Sequence, residues 1–310
     1  MLNFLLRRLA MMLATMLAVS VLTFLLLEVN GDSVVVKVLG PYSTDEQRAL
    51  WLTANGYDEP AFLRYFTWLG DVLQGDFGDS IRYRAPVADV LWPRLTNTAI
   101  LAGVVFAIMV PLSIAAGVLA GMNEGGATDR IISTFSILTT SIPEFASAVF
   151  LSFVFVLSLG WFPATSTMTG GFQPIQLVMP AMVLVLFGFG YVARMMRASM
   201  AEVMQSNYIR TAVLRGLPFH RVILRHGLRN ALIAPFTVIV LQINWLLSGV
   251  IVVEFFFAYR GFGALLLEAS LTQDIKLLQA CAMVSVVVAV ATQAIADIGY
   301  GFLNPRVRFT

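Results

Sequence analysis

The chain has 310 residues, of which 58% are hydrophobic and only 12% charged, and its mean hydropathy is +0.82. Soluble domains carry about 25% charged residues, so this composition excludes an ordinary soluble protein and predicts one embedded in a lipid bilayer. The net charge of +2 conceals an uneven distribution and gives no reason to expect a nucleic-acid partner. A single cysteine, Cys281, excludes an intrachain disulfide and a thiol-based metal site.

Long apolar stretches predict the membrane-spanning helices. The first follows Arg7 and Arg8 and ends near Val29. It has the length of about 20 residues that crosses a bilayer core and no small-residue cleavage site, so we interpret it as a retained helix. Further stretches cover residues 97–121, 131–159, 177–194, 232–257 and 277–303. The pattern predicts an all-α integral membrane protein with six transmembrane helices in a single domain over residues 1–310.

The distribution of charge predicts the orientation of these spans. Arginine outnumbers acidic residues in the segments that we place inside, whereas acidic residues outnumber basic ones in residues 30–96. Because cytoplasmic loops carry the excess of Lys and Arg, we expect both termini in the cytoplasm and residues 30–96 outside. Within this external segment, helical spacing up to Gly75 predicts a small helix at the mouth of the bundle, either a lid or a docking platform. Its apolar face comprises Phe62, Tyr65, Phe66, Leu69, Val72 and Leu73.

Sequence patterns for catalysis are missing. The only lysines, Lys37 and Lys276, do not follow a glycine, so the chain has no phosphate-binding loop and cannot hydrolyse ATP by that route. Both histidines, His220 and His226, lie among arginines, which would repel a metal cation. We therefore expect a protein that is not an enzyme and holds neither a metal nor a cofactor of its own.

The central basic loop, residues 200–231, carries the most specific motif. Its residues Tyr208-Ile-Arg-Thr-Ala-Val-Leu-Arg-Gly216 resemble the cytoplasmic coupling loop of ABC-importer permeases, and most closely the first permease of dipeptide, oligopeptide and nickel uptake systems. In that family, the loop forms a short helix that docks in a cleft of the ATPase subunit. The resemblance implies that Ala212 is the small residue at the contact and Gly216 the turn. It also implies that Tyr208, Arg210, Thr211 and Arg215 line the contact.

The resemblance continues over nearly the whole chain, through Tyr65–Val87, Ser141-Ile-Pro143, Leu159–Pro163 and Asp297–Arg306. It implies a type I ABC-importer permease fold in the cytoplasmic (inner) membrane. A second similar permease, two ATPase subunits that bind ATP and Mg, and an extracytoplasmic substrate-binding protein would complete the importer. The implied cargo is a peptide or similar polar solute, with metal chelates and glycosides as alternatives. Arg260 stands where the family commonly has proline, which leaves the peptide specificity open.

A few polar residues are candidates for contact with the cargo or the binding protein. Glu144 lies inside the third predicted span, where an acid is expensive, and either faces the translocation pathway or is a paired structural group. Asn244 and Glu254 are further pathway candidates, with interhelical pairing as the alternative. Arg260, Asp76 and Arg82 are candidates for contact with the external binding protein.

Two other functional classes fit the composition. An ion-gradient-driven secondary transporter would use Glu144 as its proton or sodium site, although no duplicated half-chain pattern supports it. A membrane scaffold would hold partners through the basic loop without transporting anything. Copurification of an ATPase with the chain distinguishes both from an importer permease.

Overall fold

The computed structural model describes residues 2–27, 31–169 and 171–303 and is helical almost throughout. Its first part contains helices α1 (Leu2–Leu27), α2 (Gly31–Leu39), α3 (Asp45–Ala54) and α4 (Ala61–Gln74). A short antiparallel pair, β1 (Asp79–Ser80) and β2 (Ala85–Pro86), then leads into the long helix α5 (Val87–Met122). The helix predicted up to Gly75 is confirmed as α4, which ends at Gly75 in the left-handed conformation, and its external location stays a prediction.

The rest of the chain continues the helical pattern, which confirms the all-α class. Helix α6 (Ala127–Ser141) is followed by α7 (Glu144–Leu151), a π-helical segment (Ser152–Ser158) and α8 (Pro174–Met204). Next come α9 (Asn207–Leu214), α10 (Phe219–Arg221), a second π-helical segment (Val222–Gly227) and α11 (Leu228–Ala231). Helices α12 (Ile233–Phe256), α13 (Phe262–Thr272) and α14 (Ile275–Leu303) follow.

The structure contains straight and bent candidates for membrane spans. Among the described residues, four helical stretches are long and apolar enough to cross a bilayer: Arg7–Leu27, Val87–Met122, Pro174–Met204 and Ile275–Ala296. Two bent pairs bring the number up to six if each pair is one span. The six predicted spans are therefore matched when both bent pairs are counted.

The sharper bend divides the third predicted span. Helices α6 and α7 meet at 104° across Ile142 and Pro143. Proline lacks a backbone N–H, and its ring pushes the preceding residue away from helical dihedrals, so Ile142 is extended at φ −89 and ψ 124. Glu144, which we expected near the middle of a continuous span, instead begins a new helix at the break.

The chain divides into two compact units, and the single domain expected over residues 1–310 stays a prediction. The first unit includes Met1–Asn97 and Gly261–Ala291. In one of its apolar clusters, Phe24 of α1 packs with Trp68 of α4. In another, the start of α5 packs with α13 and α14 through Val87, Leu91 and other buried residues, namely Phe262, Leu265, Ala269, Leu277, Ala280, Cys281 and Val284.

The second unit, which includes Thr98–Arg260, is built around α8. This helix packs against α6, α7 and α12. Close packing on α6 requires a glycine, because a Cβ built at Gly190 would collide with the backbone oxygen of Ser136 and the side chains of Thr139 and Thr140. The predicted span over 177–194 is only part of α8, which continues ten residues further, to Met204, and leads into the basic loop.

Candidate functional site

The centre of the basic loop folds into helix α9, as the sequence predicted. The helix begins after Ser206, whose backbone is extended, and ends at Arg215. Gly216 then adopts φ +73, a left-handed conformation that glycine reaches without steric cost. Its N–H donates to the carbonyl oxygen of Val213 at 2.9 Å, which closes the last turn. The predicted turn at Gly216 is therefore present.

One face of α9 packs against its own chain. Ile209 and Ala212 are buried and form a cluster with Val222 of the second π-helical segment. Partly buried residues at the end of α8 and after Gly216 complete this cluster: Val203, Met204 and Leu217. Because these contacts bracket α9 on both sides, the cluster holds the helix on the end of α8.

The opposite face of α9 is exposed and mixes charged, aromatic and aliphatic side chains. Leu214 is 80% exposed, and Tyr208, Arg210, Thr211 and Val213 are also exposed. Arg215 follows directly at the helix end and is exposed as well. Apolar and aromatic groups beside arginines are the composition of protein-binding surfaces, and arginine can pair with a carboxylate through two hydrogen bonds.

The structure places Ala212 on the inner face of α9, and the role at the ATPase contact that the resemblance implied for it stays a prediction. Ala212 is only 7% exposed and faces the internal cluster, so its side chain does not lie on the outward surface of α9. Its small size instead allows α9 to approach Val222 closely. The outward positions available for a partner are those of Tyr208, Arg210, Thr211 and Arg215, together with Leu214.

An ion pair anchors the end of α8 that carries α9. Arg197 of α8 donates to both carboxylate oxygens of Asp129 on α6, through Nε at 2.9 Å and Nη2 at 2.7 Å. Asp129 also accepts from the N–H of Gly125 at 2.9 Å and from the hydroxyl of Ser133 at 3.0 Å. Its carboxylate is buried and fully engaged, so the pair fixes the α5–α6 turn to α8.

A second, weaker set of contacts surrounds this pair. Glu124 lies 3.6 Å from Nη2 of Arg197 and accepts a hydrogen bond from the side chain of Gln205 at 3.1 Å. Gln205 directly follows α8 and lies two residues before α9. We name the set Arg197, Asp129, Glu124 and Gln205 the polar anchor. In the sequence, the charges of Arg197, Asp129 and Glu124 indicated only the orientation of the spans. Arg197 and Asp129 are 68 positions apart, and residues so far apart give no local signal of pairing.

The pathway candidate Glu144 lies at an unusual position in the backbone. It is the first residue of α7, directly after the bend at Pro143, and is partly buried. Within the described part of the chain, its carboxylate has neither a hydrogen-bond nor an ion-pair partner. The N-terminal end of a helix carries partial positive charge, which favours an acid there. Contact of Glu144 with the translocation pathway stays a prediction.

The other two pathway candidates differ from Glu144. Glu254 of α12 is completely buried and accepts a hydrogen bond from the hydroxyl of Thr98 at 2.5 Å. This contact agrees with the paired structural role that the sequence offered as the alternative, and a role of Glu254 in the pathway stays a prediction. Asn244 lies in α12, but its side chain is outside the described residues.

The external candidates Asp76 and Arg82 lie in one loop. Asp76 is exposed and accepts from the N–H of Gly78 at 2.9 Å, while Nε of the exposed Arg82 side chain lies 3.4 Å from Glu268 of α13. The loop is attached by the buried Asp274, whose Oδ2 accepts from the hydroxyl of Ser80 at 2.6 Å and from the N–H of Arg82 at 3.0 Å. These two hydrogen bonds fix the position of the loop relative to Asp274.

The side chain of Tyr83 adds two hydrogen bonds to the same loop. Tyr83 donates from its hydroxyl to Glu268 at 2.7 Å and accepts from Arg94 at 3.0 Å. Burial, together with the bond to Glu268, raises the pKa of Tyr83, so the hydroxyl keeps the proton it donates. The third external candidate, Arg260, is exposed between α12 and α13.

Among the described residues, no group of three or more His, Cys, Asp and Glu side chains could hold an ion. Two surfaces stand out in the structure: the outward face of α9 and the loop that carries Asp76 and Arg82.

Comparison with known proteins identifies the family of the chain. Residues 113–309 match the family described as binding-protein-dependent transport system inner membrane component, and residues 1–102 match the N-terminal region of such membrane components. The chain is 31% identical to the oligopeptide transport system permease protein AppB of Bacillus subtilis, with 99% of each chain covered. It is 32% identical to the glutathione transport system permease protein GsiC of Shigella flexneri, with 100% of each covered.

Proposed function

Since this chain belongs to the family of inner membrane components of binding-protein-dependent transport systems, we propose that α9 transmits the work of a partner ATPase to the membrane helices. The chain is a multi-pass permease subunit of an ABC importer and not an enzyme. The observation that carries the proposal is the two-faced α9. Its inner face is packed on the end of α8, and its outer face offers Tyr208, Arg210 and Leu214.

The proposed mechanism depends on the packing of α9 against its own chain. A partner that pushes on the outward face of α9 also moves Val222, because Ile209 and Ala212 on the inner face pack against it. The polar anchor transfers the same displacement to α6 and the α5–α6 turn through Arg197 and Asp129. The bend at Pro143 lies at the far end of α6, so movement of α6 would change the position of Glu144. This is conformational work and breaks no bond in the chain.

The proposed cargo is a peptide or a similarly sized polar solute. Relatives are named for the transport of oligopeptides and of glutathione, both of which are peptides with charged ends. A second, similar permease would form the pathway together with this chain. ATP and Mg would be bound by the partner ATPases, and an extracytoplasmic binding protein would deliver the cargo. Asp76 and Arg82 in their loop, and separately Arg260, are the residues that we propose for contact with that binding protein.

The proposed orientation puts both termini and α9 in the cytoplasm, where ATP is available. Its support is the cluster of exposed arginines around α9, in a family whose members lie in the inner membrane. These exposed arginines are Arg210, Arg215, Arg221, Arg225 and Arg229.

Copurification tests the proposed assembly. We expect the tagged chain, produced together with the subunits encoded beside it, to bring down an ATPase in a detergent-stable complex that hydrolyses ATP faster when loaded binding protein is added. A chain that transports cargo in vesicles without any ATPase would instead be a secondary transporter. A chain that binds partners but moves no cargo would be a scaffold.

Glu144 provides a separate test of the pathway. We expect Glu144→Gln to reduce uptake of a peptide with a free amino terminus by about tenfold and uptake of its N-acetylated form much less, because one charge-assisted contact is lost. The measurement is initial uptake of both radiolabelled peptides into vesicles containing the importer. Glu202→Gln, the same change at an exposed position of α8, serves as the matched control. Equal losses for both peptides would make Glu144 a structural group.

A further inference from the structure

Helix α4 has three distinct faces. Tyr65, Trp68, Leu69 and Val72 form the face that packs with Phe24 of α1 and Met283 of α14. Next to it runs an apolar stripe that no other described part of the chain covers: Phe62, Phe66 and Leu73 are 62%, 64% and 78% exposed. With about 3.6 residues per turn, these three positions lie within an arc of about 40° on the helix. We call them the outer stripe.

The remaining face of α4 is polar. Thr67, Asp71 and Gln74 are exposed and lie roughly opposite the packed face and the outer stripe. The apolar surface of α4 is therefore wider than the part covered by α1 and α14. The sequence assigned Phe62, Tyr65, Phe66, Leu69, Val72 and Leu73 to one face, and the structure divides this set into a packed part and an exposed part.

The contacts between α4 and α1 indicate how deep α4 lies in the membrane. The hydroxyl groups of Tyr65 and Ser20 are 2.8 Å apart, and the ring centroids of Phe24 lie 5.5 Å from Tyr65 and 5.8 Å from Trp68. The span Arg7–Leu27 begins with basic residues that mark one membrane boundary. At about 1.5 Å per residue, Ser20 lies about 20 Å and Phe24 about 25 Å along α1 from Arg7, so both lie within about 10 Å of the opposite boundary of a hydrocarbon core about 30 Å thick.

We propose that α4 is an interfacial helix whose outer stripe lies among the lipid acyl chains of the leaflet opposite Arg7 and Arg8. The depth of its contacts on α1 equals the 5–10 Å to which interfacial helices bury their apolar face. The packed face lies on α1, the outer stripe points into the lipid, and Asp71 with its polar neighbours faces water.

The occupant of the outer stripe is lipid because α4 packs against two candidate membrane spans at positions inside their apolar runs. Phe24 of the span Arg7–Leu27 and Met283 of the span Ile275–Ala296 both belong to the cluster that contains Trp68. Charged side chains are absent from the stripe itself, as expected of a surface that meets acyl chains, and Asp71 lies on the water side.

Spin labelling of the full chain in vesicles tests the proposal. Phe62→Cys, Phe66→Cys and Leu73→Cys place a nitroxide on the outer stripe, and Asp71→Cys places one on the polar face as the matched control. The native Cys281 is buried and so resists labelling. The chain is reconstituted without partners in vesicles of phosphatidylcholine and phosphatidylglycerol. Collision of each label with oxygen, which concentrates in lipid, is compared with collision with a water-soluble nickel chelate.

We expect oxygen accessibility relative to nickel accessibility to be several-fold higher at positions 62, 66 and 73 than at position 71. Three independent positions keep the test decisive if one variant does not fold. Equal nickel accessibility at all four positions would overturn the proposal. Nickel accessibility of the outer stripe that disappears only when a soluble binding protein is added would also overturn it, because the stripe would then be a protein-docking surface.

Discussion

Leu214→Glu is expected to abolish the stimulation of ATP hydrolysis by loaded binding protein in the assembled importer. Leu214 is 80% exposed, more than the other exposed large apolar side chains of α9, so the change should alter the stability of the chain by no more than about 0.5 kcal/mol. At the centre of a docking surface, however, a buried acid without a partner costs about 2 kcal/mol or more, which weakens binding of the ATPase by about thirtyfold. The measurement is ATP hydrolysis by purified complexes, with and without loaded binding protein.

Two controls separate docking from folding. Leu50→Glu makes the same change at an exposed leucine of α3 and should leave stimulation normal. Ala212→Arg should also abolish stimulation, but through a different cause, because it forces a charged side chain into the cluster of Ile209 and Val222 and so displaces α9. Normal stimulation in the Leu214→Glu complex would remove α9 from the proposed contact.

Gly216→Pro belongs to the same prediction. Proline holds φ near −65°, whereas Gly216 has φ +73, so the turn after α9 cannot form. We expect stimulation to be lost while the membrane helices remain inserted, since none of the long helices includes Gly216.

Asp129→Ala is expected to lower the free energy of unfolding by about 3 kcal/mol, because it leaves the guanidinium of Arg197 without its two-bond partner in a partly buried position. The N–H of Gly125 and the hydroxyl of Ser133 lose an acceptor as well. The measurement is thermal unfolding of the purified chain in detergent, followed by ATP hydrolysis of the assembled complex, whose stimulation should fall because α8 is no longer fixed to α6.

Glu124→Ala is the matched control for this pair. Glu124 is half-exposed and contacts Arg197 only at 3.6 Å, so its loss should cost less than about 1 kcal/mol. Similar losses in the Glu124 and Asp129 variants would contradict the central role of Asp129. A double substitution, Asp129→Ala with Arg197→Met, should recover part of the stability, because no unpaired charge is left.

The differences between prediction and structure at α9 and at α4 have one physical cause. Helical spacing of apolar residues predicted that α4 would form, and the ordered motif around Tyr208–Gly216 predicted a helix that ends in a turn. Spacing reports that a helix has an apolar face but not what covers it. Ala212 was therefore expected at a partner, whereas the chain's own Val222 covers it.

The sequence by itself determined the all-α membrane class, the approximate positions of the spans, the basic loop and the family, because composition, apolar runs and motifs are local properties of the chain. Only the tertiary structure decided the bend that leaves Glu144 at a helix start and the pairing of Asp129 with Arg197. It also decided the burial of Glu254 beside Thr98 and the depth of α4 on α1. These features depend on contacts between residues far apart in the chain, and the free energy of such contacts exists only once the helices are packed.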